Sequence, residues 1–178
     1  MVRVERAVRI AAPAATAWQV LRDFSAAEIA AGICTRIEVC GAGIGAVRTM
    51  YIAGSWGEGY TGGAEVYVKE RLESYDESER CMTYRLVDAG PLPFADYVGS
   101  ARVVCAGPDR CIAVMTSAFV PVEMTDEAAA ALSRGSIDLA LSNLRAAAER
   151  RNAAGSADVD IQPSAEDSML ARSSIARA

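Results

Sequence analysis

Between Ala64 and Pro121 the chain keeps returning to a period of two, and after Pro121 it changes to one sustained helical period. From Ala64 to Tyr75, Val66, Val68, Glu70 and Leu72 alternate with Tyr67, Lys69, Arg71 and Glu73. Cys81 to Asp88, Asp96 to Ala106 and Arg110 to Pro121 read as further strands, with Ala89 to Phe94 and Gly107-Pro108-Asp109 as connections. Strands that bracket two short helices and precede one long helix imply an antiparallel sheet curled around that last helix. Thr125 or Asp126 then caps a helix over approximately Asp126 to Arg150, with Leu132, Ser136, Ile137, Ala140, Leu141 and Leu144 along one face. The positive charges of Arg150-Arg151 suit its C-terminal end.

The first fifty residues add the rest of the framework. Val2 to Ile10 alternates as a half-buried strand, and Pro13 stands at a plausible first helical position. Trp18, Val20, Leu21 and Phe24 supply the apolar side of a short helix, and Ser25 can cap a second small one over Ala26 to Ala31. Ile33 to Val39 and Gly45 to Ile52 read as strands joined by the turn Gly41-Ala42-Gly43. Gly54 to Gly63 carries five glycines around Trp56 and Tyr60, a composition suited to a mobile loop tipped with aromatic rings.

The expected architecture is α+β: a curved antiparallel sheet wrapped around a long C-terminal helix, with two short helices after the first strand. Residues 1–151 form one domain, and 152–178, polar and rich in small residues, read as a flexible extension. The helix face is interrupted by Ser133, Ser136 and alanines, which leaves space between helix and sheet.

Several functions are disfavoured by composition. The formal net charge is -5, the pI is near 4.9, and Lys69 is the only lysine, so neither nucleic acid nor an anionic membrane is an expected partner. The N-terminus has no signal-peptide pattern and no run of about twenty apolar residues occurs, so membrane insertion is not expected and a cytoplasmic location is. There is no histidine, which removes Ser-His-Asp and Cys-His machinery and the commonest zinc sets. The five cysteines lack CxxC spacing and read as reduced thiols, so neither a metal nor a cofactor is expected.

The sharpest local anomaly is Glu70, the one charged residue on the apolar row of its strand. A buried carboxylate of this kind either completes a structural ion pair, for which Arg48 on a neighbouring strand is the candidate, or performs acid-base chemistry. Strand parity makes Tyr84, Tyr97 and Thr116 further candidates to point inward.

Val47-Arg48-Thr49, Glu70-Arg71-Leu72-Glu73, Tyr75-Asp76, Tyr84-Arg85-Leu86-Val87-Asp88, Gly90-Pro91-Leu92-Pro93 and Asp96-Tyr97 follow one another in an order that resembles the SRPBCC, or START-like, superfamily of helix-grip proteins. The strand, Ala-Pro step and tryptophan-bearing helix at the start add to the resemblance, which covers roughly Val2 to Arg150 and is strongest to polyketide cyclase/dehydrase-like members. It implies a cavity between the concave sheet and the last helix that holds an apolar small molecule of polyketide or terpenoid type. Glu70, Tyr84 and Tyr97 would then be catalytic. Arg48, Trp56, Tyr60, Leu86, Pro91 and Leu92 would contact the substrate from the sheet side and its loops. Thr116, Leu132, Ser136 and Ala140 would do so from the last strand and the helix.

Within the superfamily, Gly54 to Gly63 and Gly90-Pro91-Leu92-Pro93 resemble the gate and latch of plant abscisic-acid receptors. The latch here lacks the receptors' histidine and arginine, and Gly32 to Arg36 offers Cys34 and Thr35 where they have an anchoring lysine. A hormone-receptor role is therefore not expected. The resemblance implies a metal-independent cyclase or dehydratase of specialised metabolism. A non-catalytic carrier or sensor is the alternative, a lipid- or quinone-binding accessory protein is a third reading, and a homodimer is left open.

Overall fold

A computed structural model describes residues 1–25, 27–52 and 66–159. Its elements are β1 (Val2–Ile10), α1 (Ala14–Leu21), β2 (Cys34–Cys40), β3 (Val47–Ile52), β4 (Tyr67–Asp76), β5 (Cys81–Asp88), β6 (Phe94–Gly107), β7 (Arg110–Pro121) and α2 (Asp126–Val159). The strands form one antiparallel sheet in the order β1-β7-β6-β5-β4-β3-β2. The first and last strands in sequence thus pair side by side, and α2 returns across the sheet to pack on β1, β7 and α1.

The middle of α2 is closely packed: Leu141, Leu144, Ala147 and Ala148 are buried, with Trp18 of α1 in the same core. Arg6 donates to Asp138 at 2.7 Å, and Glu149 accepts from the Ala11 amide at 3.0 Å. These bonds hold the helix along β1. Asn143 donates through Nδ2 to the carbonyls of Ile29 and Ala31, at 2.9 and 2.8 Å, fixing the segment that leads into β2. Nearer its N-terminus α2 carries Ser133, Gly135 and Ser136 beside Ile137, and there a cavity separates helix from sheet.

Three local expectations change, and the choice between two caps for the last helix is decided. The second short helix expected over Ala26 to Ala31 is not formed in its described part: residues 27–30 are turns, and Ala30 accepts from the amides of Ile33 and Cys34. Pro13 precedes the helix as its cap, with φ -55° and ψ 146°, and its carbonyl accepts from Thr16 and Ala17. Thr125 is the residue that caps α2, its Oγ1 accepting from the Ala128 amide at 3.2 Å. The helix continues past Arg150-Arg151 to Val159, because the alanines of 152–159 sustain helix formation beyond the charges that suit an end. The Gly54 to Gly63 loop, with Trp56 and Tyr60, and the tail from residue 160 lie outside the described residues.

Candidate functional site

Two β-bulges decide which side chains reach the concave face. Asp96 takes a left-handed backbone, φ 52°, inside the register shift between Ala95 and Val98. Aspartate tolerates that conformation better than most residues. The extra residue brings Phe94 and Tyr97, three positions apart, to the same side of the sheet, where their rings stack at 5.9 Å. Tyr97 also stacks on the fully buried Phe119 at 6.0 Å, so its ring is fixed by aromatic neighbours on two strands. The second shift, between Leu72 and Ser74 on β4, turns Leu72 and Tyr75 to one side in the same way.

Arg48 and Glu70 stand directly opposite each other on β3 and β4. Arg48 donates through Nε to Glu70 Oε2 at 2.7 Å, and its Nη2 lies 2.5 Å from the same oxygen. The pair is largely sequestered, with side-chain exposures of 12% and 7%. The guanidinium lies between two rings, 4.6 Å from that of Phe24 and 5.0 Å from that of Tyr84, and donates at 3.4 Å to the Phe24 carbonyl. Burial opposes the Arg48 charge, but Glu70, Tyr84 and Cys34 together outweigh it and its pKa moves up. Arg48 is a permanent cation here.

Burial, reinforced by the Glu70 charge, pushes the Tyr84 hydroxyl up to about 12. Tyr97 is driven well above the ordinary tyrosine value by burial and then by Tyr84 and Glu70. Both therefore remain protonated at neutral pH and act as hydrogen-bond donors, not as bases. Cys34, at the start of β2, faces the same space; burial raises its thiol to about 11, which keeps it from being a thiolate.

The cavity has about 70 Å³ open to the centre of a water molecule. Of the expected site residues, Glu70, Leu86, Leu92, Tyr97 and Ser136 line it. Arg48 sits immediately behind Glu70, and the Tyr84 ring lies against Arg48. Leu132 and Ala140 of α2 are partly buried against the main core, and Pro91 is partly buried beside Leu92; none of the three is a cavity wall.

Thr116 is misassigned by parity. It faces the opposite side of the sheet, its hydroxyl 2.6 Å from that of Ser100, and the inward neighbour is Ser117, 2.7 Å from Ser133 on α2. Both rows of β7 are largely apolar, Ile112 and Val114 on one and Ala113, Met115 and Phe119 on the other, so alternation gave no contrast to choose between them. Met50, Ile52 and Val68 also line the cavity. They were recoverable from the sequence, two and four positions from Arg48 and two from Glu70. Phe24 has no such signal, because it follows α1 in an irregular segment and meets Arg48 only in the folded chain.

Among the described residues no helix is long and apolar enough to cross a membrane. A comparison with curated protein sequences finds no match. Among solved structures, the Zhui aromatase/cyclase from a Streptomyces species superposes with a TM-score of 0.66 at 22% identity, over 84% of this chain and 94% of that one. A protein from Thermobifida fusca gives 0.66 at 28% identity, over 84% and 95%. Norcoclaurine synthase from Thalictrum flavum gives 0.63 at 17%, over 80% and 83%. The family model described as polyketide cyclase / dehydrase and lipid transport matches residues 1–149. With that match over most of its length, and a sheet that grips its last helix, the chain belongs to the polyketide cyclase/dehydrase family of the SRPBCC, Bet v 1-like superfamily.

Proposed function

We propose that the chain binds an apolar, oxygen-bearing small molecule between α2 and the concave sheet and acts on it as a cyclase or dehydratase of polyketide type. The observation that carries this reading is a buried carboxylate, Glu70, on the wall of the cavity, with a protonated tyrosine hydroxyl on the same wall. In a ring closure of aldol type, Glu70 accepts the proton from a carbon next to one carbonyl. The carbon so freed attacks a second carbonyl of the same chain, and Tyr97 donates a hydrogen bond to the oxygen that gains charge. Arg48 balances Glu70 while the carboxylate is charged. The protonated Glu70 then gives its proton to that oxygen, forming the aldol hydroxyl. In the dehydration that follows, Glu70 takes a second proton from the attacking carbon and passes it to the departing hydroxyl, so that a carbon–carbon double bond forms, water leaves and the carboxylate is restored. Holding a flexible chain folded supplies much of the acceleration, so modest proton transfer suffices.

The carrier reading has its own support, since Arg48 already engages Glu70 through two nitrogens, as in a structural ion pair. Glu70→Gln separates the two. Incubating both proteins with a linear poly-β-ketone thioester analogue and following ring products by mass spectrometry is expected to show turnover lost at saturating substrate while calorimetric affinity persists. Weaker binding, with no ring product from either protein, assigns a carrier. Native mass spectrometry of the purified protein identifies any ligand that it retains.

A further inference from the structure

The cavity beside Glu70 is small for the ligand class proposed above: ligand sites usually offer about 300–1,000 Å³, and this one has about 70 Å³. A second concavity of about 640 Å³ opens at the C-terminal end of α1, lined by Gln19, Arg22, Phe24, Ile44, Leu72 and Tyr75. The two are neighbours on one strand. Glu70 lines the cavity and Leu72, two residues along the same face of β4, lines the groove. Between them stands Arg48, bonded to Glu70 on one side and covered on the other by the ring of Phe24, itself a groove residue.

We propose that this groove is the outer half of the ligand site, that Phe24 on Arg48 is the partition between the halves, and that the ligand is an elongated apolar molecule with its oxygenated end at Glu70 and Arg48 and its far end on Leu72 and Tyr75. The inference rests on the ligand-binding reading of the Glu70 cavity. Phe24 is suited to move: it is only partly buried, no helix or strand holds it, and its one hydrogen bond to Arg48 is long, at 3.4 Å. The groove floor is apolar through Leu72 and Tyr75, and its rim is polar at Gln19 of α1 and at Arg22 and Asp23 just after it. A chain or second ring system leaving the cavity past Arg48 would thus exchange the Phe24 ring for its own apolar surface.

The test uses two probes that differ only in reach, 2-naphthol and 6-octyl-2-naphthol, titrated calorimetrically into the full chain. Phe24→Ala is expected to tighten the long probe about tenfold relative to the short one, and Phe24→Trp to weaken it. Ile44→Asp, at an exposed position on the groove rim, is expected to weaken the long probe alone. If both probes respond equally to the Phe24 substitutions, or if Ile44→Asp changes neither, the groove is not part of the site. Glu70→Gln reads the underlying proposal separately, through turnover: ring formation from the poly-β-ketone analogue that is unaffected in that variant removes Glu70 from the reacting site whatever Phe24 does. Failure of both probes to bind the unmodified protein overturns the cavity reading and the groove with it.

Discussion

The ring of Tyr84 occupies the space that a side chain on Gly99, its partner across β5 and β6, would need. A Cβ at Gly99 would overlap the ring carbons and approach the hydroxyl at 2.8 Å. This glycine is therefore a seat for Tyr84, which in turn covers Arg48.

Gly99→Ala should displace the ring and cost about 1–3 kcal/mol, the usual range for overpacking. Urea unfolding of Gly99→Ala, Tyr84→Ala and the double variant checks this. The alanine should cost little once the ring is gone, giving a clear coupling energy in the cycle. Additive losses would show that Gly99 does not act through Tyr84.

Arg48→Ala should destabilise the protein by about 3–5 kcal/mol, because it strands the Glu70 carboxylate away from water. Replacing both partners, as Arg48→Met with Glu70→Leu, should recover most of that loss, since neither charge then remains buried. Denaturant midpoints of the single and double variants decide the matter. A double variant no better than Arg48→Ala would mean that packing of the arginine against Phe24 and Tyr84, not charge pairing, supplies the stability.

Tyr84 holds its proton more tightly when folded than when unfolded, with a value near 12 against about 10 for a free tyrosine. Its contribution to stability is thus intact below about pH 10 and is lost as the pH rises through about 12. Tyrosinate absorbance should show Tyr84 and Tyr97 ionising last or together with unfolding. In Tyr84→Phe the fall in stability across that interval should be smaller. An unchanged alkaline profile in the variant would remove Tyr84 as a cause.

Cys34, raised to about 11 by burial, should react with iodoacetamide at pH 8 at least about tenfold more slowly than the exposed Cys40 and Cys105. Peptide mass mapping over a time course resolves the three. A ligand in the cavity should slow Cys34 further, since that side chain lines it. Equal rates at all three cysteines would show that the wall around Cys34 opens readily.

The strands that alternate cleanly were legible from residues alone. The expected limits of β1 and β5 coincide with those observed, because a half-buried strand imposes its period directly on the side chains; those of β7, whose two rows are both largely apolar, coincide as well, with turn residues at Gly107-Pro108-Asp109 marking its start. Glu70 was legible for the same reason, as a charge on an apolar row, and its pairing with Arg48 followed from their places on adjacent strands. Parity failed on β7, where two apolar rows put Thr116 inward in place of Ser117, and it says nothing of where strands bend. The bulge at Asp96 lets Phe94 and Tyr97 share a face, and the one at Leu72/Ser74 does the same for Leu72 and Tyr75. Neither shift leaves a mark in the alternation that distinguishes it from a change of phase.

By itself, then, the sequence determined an antiparallel sheet, a long final helix with a small-residue face, and a carboxylate set among apolar neighbours, since all of these follow from the period and chemistry of contiguous residues. Tertiary structure alone decided that Phe24 covers Arg48, that Gly99 makes room for Tyr84, and that Ser117 instead of Thr116 meets Ser133 on α2. Those relationships join residues distant in the chain, and the bulges and packing that bring them together depend on how whole strands and helices fit in space.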